Sequence, residues 1–366
     1  MIITHVACYL LKLPLKTPFQ TALRRVEALE DVVVKITTDT GAVGYGEAPP
    51  TEVITGESIP SIVSAIQERM APLLVGRDTL AMEENQRILH GAMVHNTSAK
   101  AAVDMALYDL FAQEMNQPLY RLLGGSEKHL TTDITISVGE VSAMVKDSLR
   151  AKELGYEHLK IKVGQGGSED IERVEEIVRA VGPEVKIRLD ANQGWGVREA
   201  ISVLDELHRR DIALELVEQP VAYADLLGLR EVKKHSPYPI MADEAVFSLA
   251  DAHRVLDLQA ADIINIKLMK TGGIHEALKL VDLAELYGVS CMMGCMLESK
   301  ISVAAAAHLA GARENIRYID LDGPNLTAVA GSVGGPEFLE GDIVLNDSPG
   351  IGIREVADLL PLGGEK

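Results

Sequence analysis

The spacing of apolar residues along this chain changes character near residue 131. Before it, residues 2–13 and the run DVVVKITTDTGAVGYGEAPP hold short apolar stretches rich in β-branched residues. They predict one strand and then two more, joined by a turn at Asp39–Gly41. TPFQTALRRVEAL between them is polar and irregular, and PPTEVITGES is crowded with turn residues, so both read as loops. Helical spacing follows from Ser58 to about Leu74, near Met82–Met93, and from Ser98 to about Met115. Together these make an α+β domain over residues 1–125.

From Thr131 the rhythm becomes strand, amphipathic helix, strand. TDITISV, EHLKIKV, VKIRLDAN, LELVEQP, PIMADEA, ADIINIKL, VSCMMGC and RYIDLDG read as strands. Segments such as DIERVEEIVRAV, REAISVLDELHRR and IHEALKLVDLAELYG supply the helices between them. The fold class is therefore α/β, a (β/α)8 barrel over residues 126–323. Beyond Asp322 no βα unit follows; residues 324–366 read as hairpin and loop that return to the first domain, which caps the barrel.

Composition narrows the function. A length of 366 residues fits one barrel plus a smaller domain, and 47% apolar with 24% charged residues is ordinary for a globular protein. The net charge of −19 argues against nucleic acid and anionic membrane as partners. Cys8, Cys291 and Cys295 make no disulfide framework, and the last two sit in an apolar run as buried strand residues. The N-terminus reads as a strand, not a signal peptide, and no apolar run is long enough for a membrane helix. A cytoplasmic homo-oligomer is the expectation.

Against this background eight charged residues stand at strand ends: Lys160, Lys162, Asp190, Glu218, Asp243, Lys267, Asp320 and Asp322. Such side chains are poor strand formers and costly to bury unpaired. From Lys162 to Lys267 the steps are 28, 28, 25 and 24 residues, one charge per βα unit. Ligands of parallel α/β proteins sit at the carboxyl ends of the strands, so the series reads as an active site rather than an internal ion-pair network. Residues at i and i+2 share a strand face, which turns Lys160 with Lys162, Asp190 with Asn192, and Asp320 with Asp322 into the barrel mouth.

Asp190, Glu218 and Asp243 fall on three successive strands. Their mutual repulsion calls for a divalent cation, and an all-oxygen donor set favours Mg2+, with Mn2+ next. Lys162 and Lys267 lie four strands apart, on opposite sides of the mouth. That arrangement suits removal of a proton from one face of a carbon and its return to the other, with the nearby metal and cationic neighbours (Lys160 for Lys162) lowering the lysine pKa values. Lys160 is assigned to the substrate carboxylate and the developing enolate.

LKIKV, RLDANQGW, LVEQP, MADE and NIKLMKTGG together resemble the enolase superfamily, in its muconate-lactonising subgroup, over nearly the whole chain. The resemblance implies a modified barrel with a two-part capping domain. It also implies abstraction of a proton alpha to a carboxylate with Mg2+ stabilising the enediolate, Asp190, Glu218 and Asp243 as ligands, and Lys162 with Lys267 as the acid/base pair. RYIDLDGP is similar to the dipeptide-epimerase branch, in which paired carboxylates hold the substrate ammonium; a capped turn before Gly323–Pro324 is the structural alternative. ITGES and TSAKAAVDMALYD extend that likeness to epimerases of L-Ala-D/L-Glu, a dipeptide of peptidoglycan turnover. Stretches 17–30 and 49–58 match the family's lid loops, and Arg24 in TALRR matches an arginine for the glutamyl carboxylate. Leu297 and Glu298 are expected to line the pocket, Thr135 to touch substrate, and Asn192 and Glu244 to support the ligands. An o-succinylbenzoate synthase or muconate-type cycloisomerase is the alternative, and a silent ligand-binding barrel the non-enzymatic one.

Overall fold

The computed structural model describes residues 1–20 and 25–363. β1 (Ile3–Gln20) and β2 (Arg25–Thr38) form a long antiparallel hairpin, and β3 (Val43–Ala48) continues the meander. Most of the stretch read as an irregular loop is therefore strand. Phe19 pairs with Val26 and Gln20 with Arg25, after a register shift between Pro14 and Phe19. Pro14 and Pro18 lack the N–H a regular ladder needs, and the shift lies between Pro14 and Phe19, a span that includes Pro18. Helical turns run unbroken from Ile59 through Leu74, the middle piece (Ala65–Met70) with the wider i→i+5 pitch. The helix Thr97–Glu114 is buried on nearly every face. It lies so close to β3 that a Cβ at Gly46 would collide with the Ala102 carbonyl, so only glycine fits there.

β4 (His129–Thr131) leads to β5 (Ile134–Ile136), the first of eight parallel strands in one sheet. The others are β6 (His158–Lys162), β7 (Lys186–Asp190), β8 (Leu216–Glu218), β9 (Ile240–Ala242), β10 (Ile263–Lys267), β11 (Ser290–Gly294) and β12 (Ile316–Asp320). They lie in chain order, as the strand–helix rhythm predicts. Most intervening helices bury one stripe, while Lys300–Ala310 is buried on all faces. Val197–Arg209 buries Ala200, Val203, Leu204 and Leu207, the i, i+3, i+4, i+7 spacing of a core-facing helix. Leu216, Met241, Ile263 and Met292 form a small apolar cluster of their own, with Tyr318 against it.

The barrel has a seam. No strand ladder joins β5 to β12 among the described residues. Side chains bridge the gap instead: Thr135 N donates to Asp322 Oδ2 (2.7 Å), Leu321 N to Thr132 Oγ1 (2.8 Å), and Arg188 Nη1 to the Ile319 carbonyl (2.8 Å). After β12 come β13 (Ser332–Gly334), β14 (Glu337–Leu339), β15 (Asp342–Val344), β16 (Ile353–Val356) and β17 (Leu360–Leu362). β14 and β15 extend from β4, while β17 pairs with β1 and so returns the chain to the N-terminal sheet. No helix among the described residues is long and apolar enough to cross a membrane.

Candidate active site

The carboxyl ends of the barrel strands open into a cavity of about 640 Å3, counted to its solvent-open mouth. Thr135, Lys160, Lys162, Asn192, Asp243, Glu244, Lys267, Asp320 and Asp322 supply its polar wall. Phe19 from the β1–β2 arm, Val53 and Ile54 from the 49–58 stretch, and Leu297 and Leu326 supply its apolar rim. Asp190 and Glu218 lie one step behind, beneath the lysines. Lys160 Nζ meets Asp190 Oδ2 (3.2 Å), Glu218 Oε2 (2.7 Å) and Asp320 Oδ2 (2.7 Å). Lys162 Nζ reaches Asp190 Oδ2 at 2.5 Å, and Lys267 Nζ reaches Asp243 Oδ2 at 2.6 Å. Lys162 on β6 and Lys267 on β10 stand four strands apart across the mouth.

All of these charges are nearly or fully buried, so their pairing sets their protonation. Burial alone would lower the Lys267 pKa, yet Asp243 and Glu218 override it and hold the ammonium well above its usual range. Lys160 is raised in the same way, by Asp320, Glu218 and Asp190 against burial. At Lys267 the expected lowering by cationic neighbours is outweighed by carboxylates, which are its nearer partners. Burial works against Asp190, but Lys162, Lys160 and Lys267 bring it down to about 2. Burial and Asp190 push Glu218 up to about 8, and burial and Asp243 push Glu244 up to about 7.

Six carboxylates (Asp190, Glu218, Asp243, Glu244, Asp320 and Asp322) thus face four ammoniums, those of Lys160, Lys162, Lys267 and Lys270. Two buried acceptor atoms beside the ligands, Asn192 Oδ1 and Glu244 Oε2, have no hydrogen-bond partner. The all-oxygen donor set and these orphaned acceptors fit a hard divalent cation. The three carboxylates whose oxygens all lie within 4.8 Å of one another are different ones, Asp133, Asp320 and Asp322. In the Asp190, Glu218 and Asp243 group the lysine ammoniums stand between the carboxylates.

Comparison with known families shows the family of the chain. The family model described as enolase C-terminal domain-like matches residues 141–358, and that of the mandelate racemase/muconate lactonizing enzyme N-terminal domain matches residues 4–124. The chain belongs to the enolase superfamily. Within it, the chain is similar to the L-Ala-D/L-Glu epimerase of Clostridium acetobutylicum, 52% identical over 97% of this chain and 99% of the relative. Among solved structures it resembles a substrate-liganded complex of the L-Ala-D/L-Glu epimerase from Bacillus subtilis, with a TM-score of 0.96 and 45% identity over 98% of this chain and all of that one. It also resembles the dipeptide epimerase of Enterococcus faecalis complexed with Mg and L-Leu-L-Tyr, with a TM-score of 0.94 and 40% identity over 97% of this chain and 100% of that one. The place of this superfamily member is among the isomerases.

Several residues expected at the site differ in detail or were not expected. Arg24 lies outside the described residues, and its neighbour Arg25 is exposed near Glu27 (3.8 Å). Glu298 does not line the cavity; its carboxylate folds back to accept from Met296 N at 2.6 Å. Asp322 does not cap its own turn, since its side chain makes no capping bond there and accepts from Thr135 N instead. Lys270 was overlooked. It is fully buried and donates to Asp243 Oδ1 (2.5 Å) and to the carbonyls of Asp243 and Asn265, orienting that carboxylate toward the cavity. Asn265, two residues before Lys267 on the same face, donates to Glu218 Oε1 (2.8 Å). Asn192 and Gln219 hold positive φ, at 41° and 35°, two residues past Asp190 and one past Glu218, where the chain leaves the strands.

Proposed function

We propose that this protein is a dipeptide epimerase that inverts the α-carbon of the C-terminal residue by proton transfer between two lysines. The observation that carries the reading is the pair Lys162 and Lys267, on strands four apart and facing one buried cavity. With the substrate α-carbon between them, one lysine removes the proton from one face and the other delivers a proton to the opposite face. The lysine that accepts must first release its own proton, so its carboxylate partner has to loosen as substrate enters. Asp320 and Asp322 take the substrate's ammonium group, Lys160 lies toward its carboxylate, and Thr135 borders the same wall. Asp190, Glu218 and Asp243 would hold Mg2+ (Mn2+ as substitute), supported by Asn192 and Glu244. The ion supplies Lewis-acid stabilisation of negative charge when the α-proton leaves. Phe19, Val53, Ile54 and Leu297 exclude water from the closed site.

The preferred substrate is L-Ala-D/L-Glu, supported by the relatives with that activity, with Arg24 for the glutamyl carboxylate. Cytoplasmic peptidoglycan turnover would provide it. The apolar rim favours a second substrate reading within the same chemistry, a hydrophobic C-terminal residue. Incubation with Mg2+ and L-Ala-D-Glu in D2O should add one mass unit to the dipeptide and yield both epimers. Exchange on L-Leu-L-Tyr but not on L-Ala-D-Glu would replace the substrate and keep the reaction. Exchange on neither would remove the reading.

A further inference from the structure

The two carboxylates on the β12 side each already serve one donor of the chain itself. Asp320 Oδ2 accepts from Lys160 Nζ and Asp322 Oδ2 from Thr135 N, both at 2.7 Å. One oxygen remains on each, against three N–H donors of the ammonium. A third carboxylate lies behind them. Asp133 stands just before β5 at the seam, wholly buried, with Oδ2 accepting from Arg188 Nη1 at 2.7 Å. Its Oδ1 is buried without a partner. One oxygen from each of Asp133, Asp320 and Asp322 lies within 4.8 Å of the others. A single point can therefore sit about 2.8 Å from all three, the length of a charge-assisted N–H···O bond.

We propose that Asp133 is the third acceptor of the substrate α-ammonium, so that the subsite is a tripod selecting primary amines. The proposal rests on the reading of Asp320 and Asp322 as the ammonium-binding pair. Burial and the nearby Asp320 disfavour the Asp133 anion, and Arg188 offsets them only in part.

Asp133→Asn tests this. Arg188 retains the Asn carbonyl oxygen, which turns the amide N–H toward the ammonium in place of Oδ1. KM for L-Ala-D-Glu should rise about 10- to 100-fold, in keeping with loss of a charged hydrogen bond, with the effect mainly in KM. The preference for the free amine over the N,N-dimethyl dipeptide, which has a single N–H, should shrink by a similar factor. An equal loss on both substrates, or no change in KM, would show that Asp133 only supports Arg188 and the seam. Wild type gives an independent readout if the variant does not fold. With three acceptors, N-methylation already lowers kcat/KM about tenfold, whereas with two the first methyl removes a spare donor at little cost. If Asp322→Asn raises KM while Asp133→Asn and N-methylation do not, this proposal fails and the ammonium site stands. If Asp322→Asn has no effect either, both fail.

Discussion

Within the N-terminal domain and where it meets the barrel, Glu47, Glu57 and Asp104 are as deeply buried as the carboxylates of the active site. Their partners are of another kind. Glu47 accepts from the N–H and hydroxyl groups of both Ser299 and Ser302, at 2.8–3.0 Å, at the start of the helix Lys300–Ala310. Glu57 accepts from Ser98 N and Ala99 N at the start of Thr97–Glu114, and Asp104 from Ile274 N and His275 N at the start of Ile274–Leu286. Each answers the unsatisfied N–H groups and positive end of a helix, and no oxygen is left for a ligand. The site carboxylates meet mobile ammonium groups instead, outnumber them, and keep orphaned acceptors close by. Burial alone thus does not mark function; a buried carboxylate excess beside a cavity does.

The contrast predicts opposite outcomes for two similar substitutions. Glu218→Gln should lower epimerisation at least about a thousandfold, the several kcal/mol that a bound divalent ion contributes. Because Glu218 is already pushed up to about 8, the neutral amide should shift metal-free unfolding by less than about 1 kcal/mol in urea. Glu47→Ala should do the reverse. It leaves four donors without their acceptor and should cost about 2–4 kcal/mol of stability with kcat within about twofold. A stable but inactive Glu47→Ala, or an unfolded Glu218→Gln, would erase the distinction.

A smaller effect concerns His308, another closed buried group. Its Nδ1 accepts from Tyr120 N at 3.1 Å, and burial lowers its pKa to about 4. The unfolded chain takes up the proton first as pH falls, so stability is lost between the ordinary histidine value of 6.5 and about 4, and no dependence arises above that window. At pH 5.5 the loss relative to pH 8 should be about 1 kcal/mol, and His308→Asn should flatten it in thermal melts at the two pH values.

Much of this was legible in the chain. Eight strands in order and the i, i+2 pairs at their ends follow from period-2 alternation and one charge per βα unit, and Asp243, Lys267 and Asp320 lie at the mouth on that account. The β1–β2 arm was not legible, since Lys16, Arg25 and Glu27 give a solvent-facing pair of strands the look of a loop. Lys270 hid in what reads as a helical turn after β10, where an exposed lysine is ordinary. Asp133 and Arg188 lie a layer below the mouth on strands whose upper residues drew the attention; Arg188 shared the face of Asp190 by the same alternation. The seam could not be read at all, because a missing ladder between β5 and β12 leaves no trace in either strand's pattern.

The central claim is that Lys162 and Lys267 each serve one face of the α-carbon. It is tested most directly by following α-deuterium incorporation into L-Ala-L-Glu and L-Ala-D-Glu separately, in D2O with Mg2+, for Lys162→Ala and Lys267→Ala. The account predicts that neither variant interconverts the epimers and that each still exchanges only one of them, the opposite one in the two variants. Epimerisation by either variant, or exchange of both epimers after loss of one lysine, would contradict it.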